Sequence, residues 1–206
     1  QIDLTFFTNE EGHTLLSRFK STLKDTQLFD VLVGYFRASG FHQLYDALEP
    51  VEKIRILVGL SVDRDSYEMM QYHEQSSTID FESHQRTKKR YQQNLKEEIE
   101  NSDENENKLE VGIRKFIEFL KADCQDPAMD KAYNGNGKKL EIRAYPTKNI
   151  HAKVYIGKFK PEDRDYGFVI TGSSNFSESG FVANREFNVE LRTKRDVLFA
   201  ENQFNT

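Results

Sequence analysis

The stretch that decides the reading is NIHAKVYIGKF at 149–159, followed by GFVITGSSNFS at 167–177 and NREFNVEL at 184–191. In the first run His151 and Lys153 stand two apart within an alternating pattern. Residues two apart on a strand share a face. The imidazole and the ammonium therefore project side by side, while Ile150, Ala152, Val154 and Ile156 turn the other way into packing. In the second run Phe168, Val169 and Ile170 deliver the chain to Gly172, Ser173, Ser174 and Asn175. A turn of small residues with hydroxyl and amide donors at a strand end suits anion capture. In the third, Glu186 opens an alternation of Phe187, Val189 and Leu191, with Glu190 and Arg192 interleaved. A nucleophilic imidazole, a fixed cation, an amide donor and a carboxylate are the parts needed for phosphoryl transfer without a metal. Histidine can attack phosphorus and become a phosphohistidine. Lysine and asparagine can hold the non-bridging oxygens as charge builds. A carboxylate can fix the imidazole tautomer.

His-x-Lys, then a hydrophobic strand into Gly-Ser-x-Asn, then Asn-x-Glu before another strand, resembles the phospholipase D superfamily. The nuclease-type, single-motif members are the most similar, including the phospholipase D-like domains that stand in front of helicase modules. The resemblance is close from Ile150 to Leu191. Upstream, FDVLVGYFRASGFHQL (29–44) and KIRILVGL (53–60) resemble the first strand, helix and second strand of such domains. Residues from about 62 to 138 carry no resemblance. In one place the sequence departs from the pattern. The fullest motif has an Asp a few residues after the Lys, where Lys158 and Phe159 stand here. Several nuclease-like members also lack it, so its absence weakens a lipase reading more than a nuclease one.

What the resemblance implies is a metal-independent phosphodiesterase acting on DNA through a phosphohistidine. It implies no cofactor and no metal. His151 is the nucleophile, or the acid in a partner chain. Lys153 and Asn175 bind phosphate oxygens, and Glu186 orients or tunes His151. Ser173 and Ser174 line the phosphate pocket, Ser173 being the better placed. Arg37, just after a strand end where ligands of parallel sheets collect, is a further phosphate candidate, while Tyr35 and Phe36 read as core. Such enzymes set two motifs face to face, because nucleophile and general acid must flank an in-line phosphorus. His-x-Lys occurs once here, so the expectation is a homodimer with the active site across the twofold.

The 206 residues suffice for one domain with a substantial core. The expected fold is α/β: a mixed sheet of six or seven strands flanked by helices, with a helical insertion at about 62–125. The net charge of −5 argues against broad nucleic-acid binding but leaves room for a locally basic cleft. The single cysteine, Cys124, excludes an intrachain disulfide and fits a reducing, cytoplasmic compartment. No apolar run reaches the length of a membrane span. The chain reads as a single phospholipase D-like domain (1–206) excised from a longer protein, with a helicase or ATPase module in the parent chain.

Along the chain, the pattern predicts a short strand in 1–8 and a helix capped by Thr8 or Asn9 that runs to about Lys24. A strand over 30–36, a helix from Ser39 to Pro50 and a strand over 54–60 imply a parallel crossover. Two polar helices are expected, over 67–74 and over 79–99, the second carrying Arg86, Lys88, Lys89 and Arg90. An acidic loop follows at 97–110, then a helix at 109–122, a tight turn at 134–137 and a strand at 139–145. His13, His42, His73 and His84 are scattered and do not suggest a metal site. Two other functional classes remain open: a non-catalytic nucleic-acid or protein-interaction module that keeps the phosphate pocket, and a lipid phosphodiesterase, for which the sequence has no basic amphipathic helix of the membrane type.

Overall fold

A computed structural model of the chain describes residues 5–10, 12–36, 38–62, 106–144, 151–177 and 179–206. The expected helices over 67–74 and 79–99, with the Arg86–Arg90 basic cluster, lie outside the described residues.

The strands are β1 (Phe6–Thr8), β2 (Thr26–Phe36), β3 (Lys53–Val62), β4 (Leu140–Ala144), β5 (Lys153–Phe159), β6 (Gly167–Gly172) and β7 (Phe187–Leu191). They form one mixed sheet in the order β1-β7-β6-β5-β2-β3-β4. β2, β3 and β4 are parallel, and every pairing on the other side, from β2–β5 to β1–β7, is antiparallel. The helices are α1 (Leu15–Thr22), α2 (Ala38–Leu48), α3 (Glu106–Lys121), α4 (Pro127–Ala132) and α5 (Lys194–Asn205).

Alternation along the strands divides the interior between the two faces of the sheet. Phe29, Val31 and Val33 of β2, with Tyr155, Phe159, Phe168 and Ile170, meet α1, α2 and α3 in the main core, where Phe19, Phe41 and Phe116 are fully buried. On the other face Ile156 and Val169 pack against Val197 of α5. The expected inward turn of Val154 and Ile156 is therefore met, but the His151/Lys153 side of β5 is also covered two residues further on, at Tyr155. α3 starts at Glu106, so the last residues of the run read as an acidic loop are helical. Phe116 packs on Phe36 and Phe41, which makes this part of the 62–125 segment a layer of the core.

α1 starts later than the sequence suggests. Gly12 sits at φ 79°, a left-handed conformation that ends any helix begun at Asn9. Thr14 is the cap, its Oγ1 accepting from the Ser17 amide at 3.1 Å. Asn9 still serves the helix from outside: its Oδ1 accepts from the Leu15 amide at 2.9 Å.

Candidate functional site

Strand directions gather the chemistry at one end of the sheet. β5 starts there, β6 ends there and β7 starts there; Val154 lies opposite Thr171, and Gly172 opposite Asn188. β2, antiparallel to β5, ends there as well. Its Gly34 amide donates to the Ala152 carbonyl at 3.0 Å, and Phe36 bridges Phe176. His151, Lys153, the 172–175 turn and Glu186 thus converge from three neighbouring strands. Arg37, which follows Phe36, lies outside the described residues.

His151 precedes β5 and is exposed, and Lys153 is half-buried. The Lys153 ammonium donates to the His151 carbonyl across a long 3.4 Å. Next on the same face is Tyr155, 1% exposed, whose hydroxyl donates to the Ser174 carbonyl at 2.9 Å. Burial pushes this phenol well above its ordinary pKa, and the nearby Glu186 charge pushes the same way. Tyr155 is therefore a fixed, neutral donor beneath the turn. The sequence analysis gave it no role, although its place in the His151/Lys153 alternation marks the face it occupies.

Within the turn the two serines separate. Ser173 is exposed and exchanges main-chain and side-chain bonds with Phe187: its Oγ accepts from the Phe187 amide at 3.0 Å and its own amide donates to the Phe187 carbonyl at 3.2 Å. Ser174 is wholly buried, and its Oγ accepts from the Asn188 amide group at 2.9 Å. Ser174 lies below the surface, beside Asn188 and Tyr155, and Ser173 lies on the rim. Asn175 is half-buried with its Oδ1 enclosed, and its carbonyl accepts from the Ser177 amide at 2.9 Å.

Two glycines shape this turn through close approach. A β carbon on Gly172 would stand 2.2 Å from the Phe187 carbonyl oxygen, and one on Gly180 would stand 2.4 Å from the Asn175 carbonyl oxygen. Gly180 belongs to a short π-helical turn, Ser179–Ala183, tied to the loop before α1 by Asn9 Nδ2 donating to the Gly180 carbonyl at 2.8 Å. Composition and spacing did not point to Gly180, because its role depends on a contact between separate loops.

Glu186 is half-buried just before β7. Glu190, four residues on in β7, is buried. Its side chain is 3% exposed and ion-paired to Arg18 at 3.1 Å and Arg192 at 2.7 Å. In β7 the polar residues Asn188 and Glu190 face the helices α1 and α2, while Phe187 is exposed on the other side. Lys158, near the position of the missing Asp, points to the α5 side and donates to the Tyr133 hydroxyl at 2.6 Å.

That opposite face also carries buried charge. Asp30 takes Arg55 through two bonds of 2.6 and 2.5 Å, and Lys53 is held by Asp130 and Glu141. A cavity of about 350 Å³ opens beside Arg55, Tyr133, Arg143 and Phe204. These cations are occupied by carboxylates, and the cavity is on the other side of the sheet from Lys153. Among the described residues no group of three or more His, Cys, Asp or Glu is placed to hold a metal ion. No helix among them is long and apolar enough to cross a membrane.

A family model described as the cardiolipin synthase, phospholipase D-like domain matches residues 20–206. A search of curated proteins found no match. Among solved structures, the chain is similar to NucT from Helicobacter pylori (13% identity, 97% of this chain and 91% of that one, TM-score 0.45). It is also similar to Nuc from Salmonella typhimurium, a phospholipase D family member (14% identity, 97% and 89%, TM-score 0.44). A third similar structure is yeast tyrosyl-DNA phosphodiesterase (10% identity, 98% of this chain and 38% of that one, TM-score 0.45).

Proposed function

The chain belongs to the phospholipase D-like family, and from that premise we propose that it is a metal-independent phosphodiesterase acting on DNA, with His151 as nucleophile. The observation that supports this most is the convergence of His151 and Lys153, the Ser173–Asn175 turn and Glu186 at one end of the sheet from three adjacent strands. In this reading an imidazole nitrogen of His151 attacks phosphorus and forms a P–N bond as the P–O bond to the leaving group breaks. His151 of the second protomer gives the leaving oxygen its proton. That same imidazole then removes a proton from water, whose oxygen attacks phosphorus as the P–N bond breaks and frees the first His151. Lys153 and Asn175 hold the non-bridging oxygens, and Ser173 on the rim adds a hydroxyl. Glu186 accepts from the far nitrogen of the imidazole and sets its tautomer. The exposed position of His151 fits a group that must meet a partner across a twofold.

We read the chain further as the nuclease part of a larger helicase or restriction-type protein. The family resemblance supports this, and the full gene tests it directly. The enzymatic reading is tested by cleavage of single- and double-stranded DNA in excess chelator, with wild type and His151→Ala run in parallel and their masses measured in solution. Cleavage by a wild-type dimer that vanishes in the variant is the expected result. Strict dependence on added magnesium, or full activity from a monomer, would remove the mechanism.

A further inference from the structure

We infer that Phe187, together with Phe6, is a stacking platform for an unpaired base of a single-stranded nucleic-acid substrate whose phosphate sits at the 173–175 turn. The inference rests on the phosphodiesterase reading above and adds the substrate class. Among the described residues Phe6 and Phe187 are 57% and 61% exposed, and their rings lie 5.7 Å apart. Both project from the face of the sheet opposite Lys153, at the end where the site lies: Phe187 opens β7, and Phe6 is diagonal to it across the β1–β7 ladder. On that face α5 packs over β6, β5 and β2, and these two rings remain open beyond it.

The position links the rings to the phosphate turn. Phe187 exchanges two hydrogen bonds with Ser173, so its backbone is clamped one rung from the turn while its ring is left bare. A nucleotide whose phosphate lies at Ser173–Asn175 reaches the Phe187 ring by draping its base over the lip of the sheet. The exposed Arg185, two residues before Phe187, offers a guanidinium for the neighbouring phosphate. Stacking on an aromatic face tolerates any base sequence. A duplex keeps its base faces covered, so the platform selects single strands, ends or loops.

The test uses the whole chain carrying His151→Ala, in chelator, with single-stranded DNA oligonucleotides bearing one 2-aminopurine moved along the strand. One or two positions are expected to be quenched on binding, with weaker binding of the matched duplex. Phe187→Ala should abolish that quench and weaken binding roughly tenfold, and Phe187→Trp should restore both. An abasic site at the quenched position should weaken binding to the His151→Ala protein as much, and add nothing in the protein that also carries Phe187→Ala. Unchanged quench and affinity in Phe187→Ala and Phe6→Ala would overturn the inference. So would loss of the dimer with base dependence intact, which would make the patch a subunit contact, or no binding of any oligonucleotide. Turnover by the wild type without base-dependent binding sinks the stacking alone. Base-dependent binding without turnover sinks the catalytic reading alone.

Discussion

The Tyr155 hydroxyl ties the interior of β5 to the 172–175 turn through the Ser174 carbonyl. His151, Lys153 and Glu186 stood out as candidates only because His-x-Lys, Gly-Ser-x-Asn and Asn-x-Glu follow one another in that order. Tyr155 did not, since a tyrosine in an apolar run is usually packing. Its importance comes from the Ser174 carbonyl 19 residues away, to which it donates at 2.9 Å. Tyr155→Phe removes that donor and leaves a buried carbonyl without its partner. The expected loss is about 1–3 kcal/mol in urea unfolding, and a loss within experimental error would show that the bond carries no weight. Gly180→Ala acts on the same turn from the other side, with a β carbon 2.4 Å from the Asn175 carbonyl. The turn must then shift, and if Asn175 holds a phosphate oxygen kcat should fall about tenfold or more, in keeping with the steep dependence of catalysis on position. A Gly180→Ala enzyme with wild-type kcat would separate the Asn175 turn from the chemistry.

At the scale of the element, β7 shows how buried polar residues escape a reading of hydrophobic alternation. β7 alternates Phe187, Val189 and Leu191 with Asn188 and Glu190, and hydrophobicity alone puts the first set inward. The fold does the reverse at the site end, since Asn188 is needed under Ser174 and Glu190 between Arg18 and Arg192. Ladder pairing fixes this register, because a slip by one residue would exchange every side chain between the faces. Polar partners contributed by other elements cannot be seen in a strand's own pattern. Glu190→Gln should therefore cost more than an exposed strand carboxylate would. We expect about 1–3 kcal/mol by chemical denaturation, since the Glu190 charge is lost to both arginines, Arg18 is largely buried, and Asp165 at 3.8 Å remains for Arg192. A cost below about 0.5 kcal/mol would show that these buried pairs add no net stability. The start of α1 was misread for a local reason of the same kind: Gly12 at φ 79° interrupts a capping pattern that looked complete.

For the whole molecule, the sheet separates two kinds of polar interior. On the site side are neutral donors and the Glu190 pairs; on the α5 side lies the Asp30–Arg55 pair, and it gives the stability of the chain a pH dependence. Burial pushes the Asp30 carboxyl from 3.8 up to about 6, against the hydrogen bond and charge of Arg55. The folded chain then binds more protons than the unfolded chain between those values, so stability falls as pH rises through that window. The contribution is complete below about pH 4 and gone above about pH 6, and amounts to at most about 3 kcal/mol. Urea midpoints should decline across this range in the wild type, and Asp30→Asn should flatten the decline; an unchanged slope would assign it to other groups. The subunit arrangement is the other property that belongs to the molecule as a whole, and a single His-x-Lys makes it testable by mixing. If each active site needs His151 from both protomers, a heterodimer with one His151→Ala chain is dead. Activity then follows the square of the wild-type fraction, so that an equal mixture, unfolded and refolded together, keeps roughly a quarter of its activity per total chain. If each protomer works alone, the same mixture keeps roughly half, because the active chains are only diluted. Mixing the two proteins without unfolding supplies the control, since existing dimers exchange only as fast as they dissociate. A linear dependence after co-refolding would rule out a shared site. It would leave His151 of one chain needing its general acid from within its own protomer.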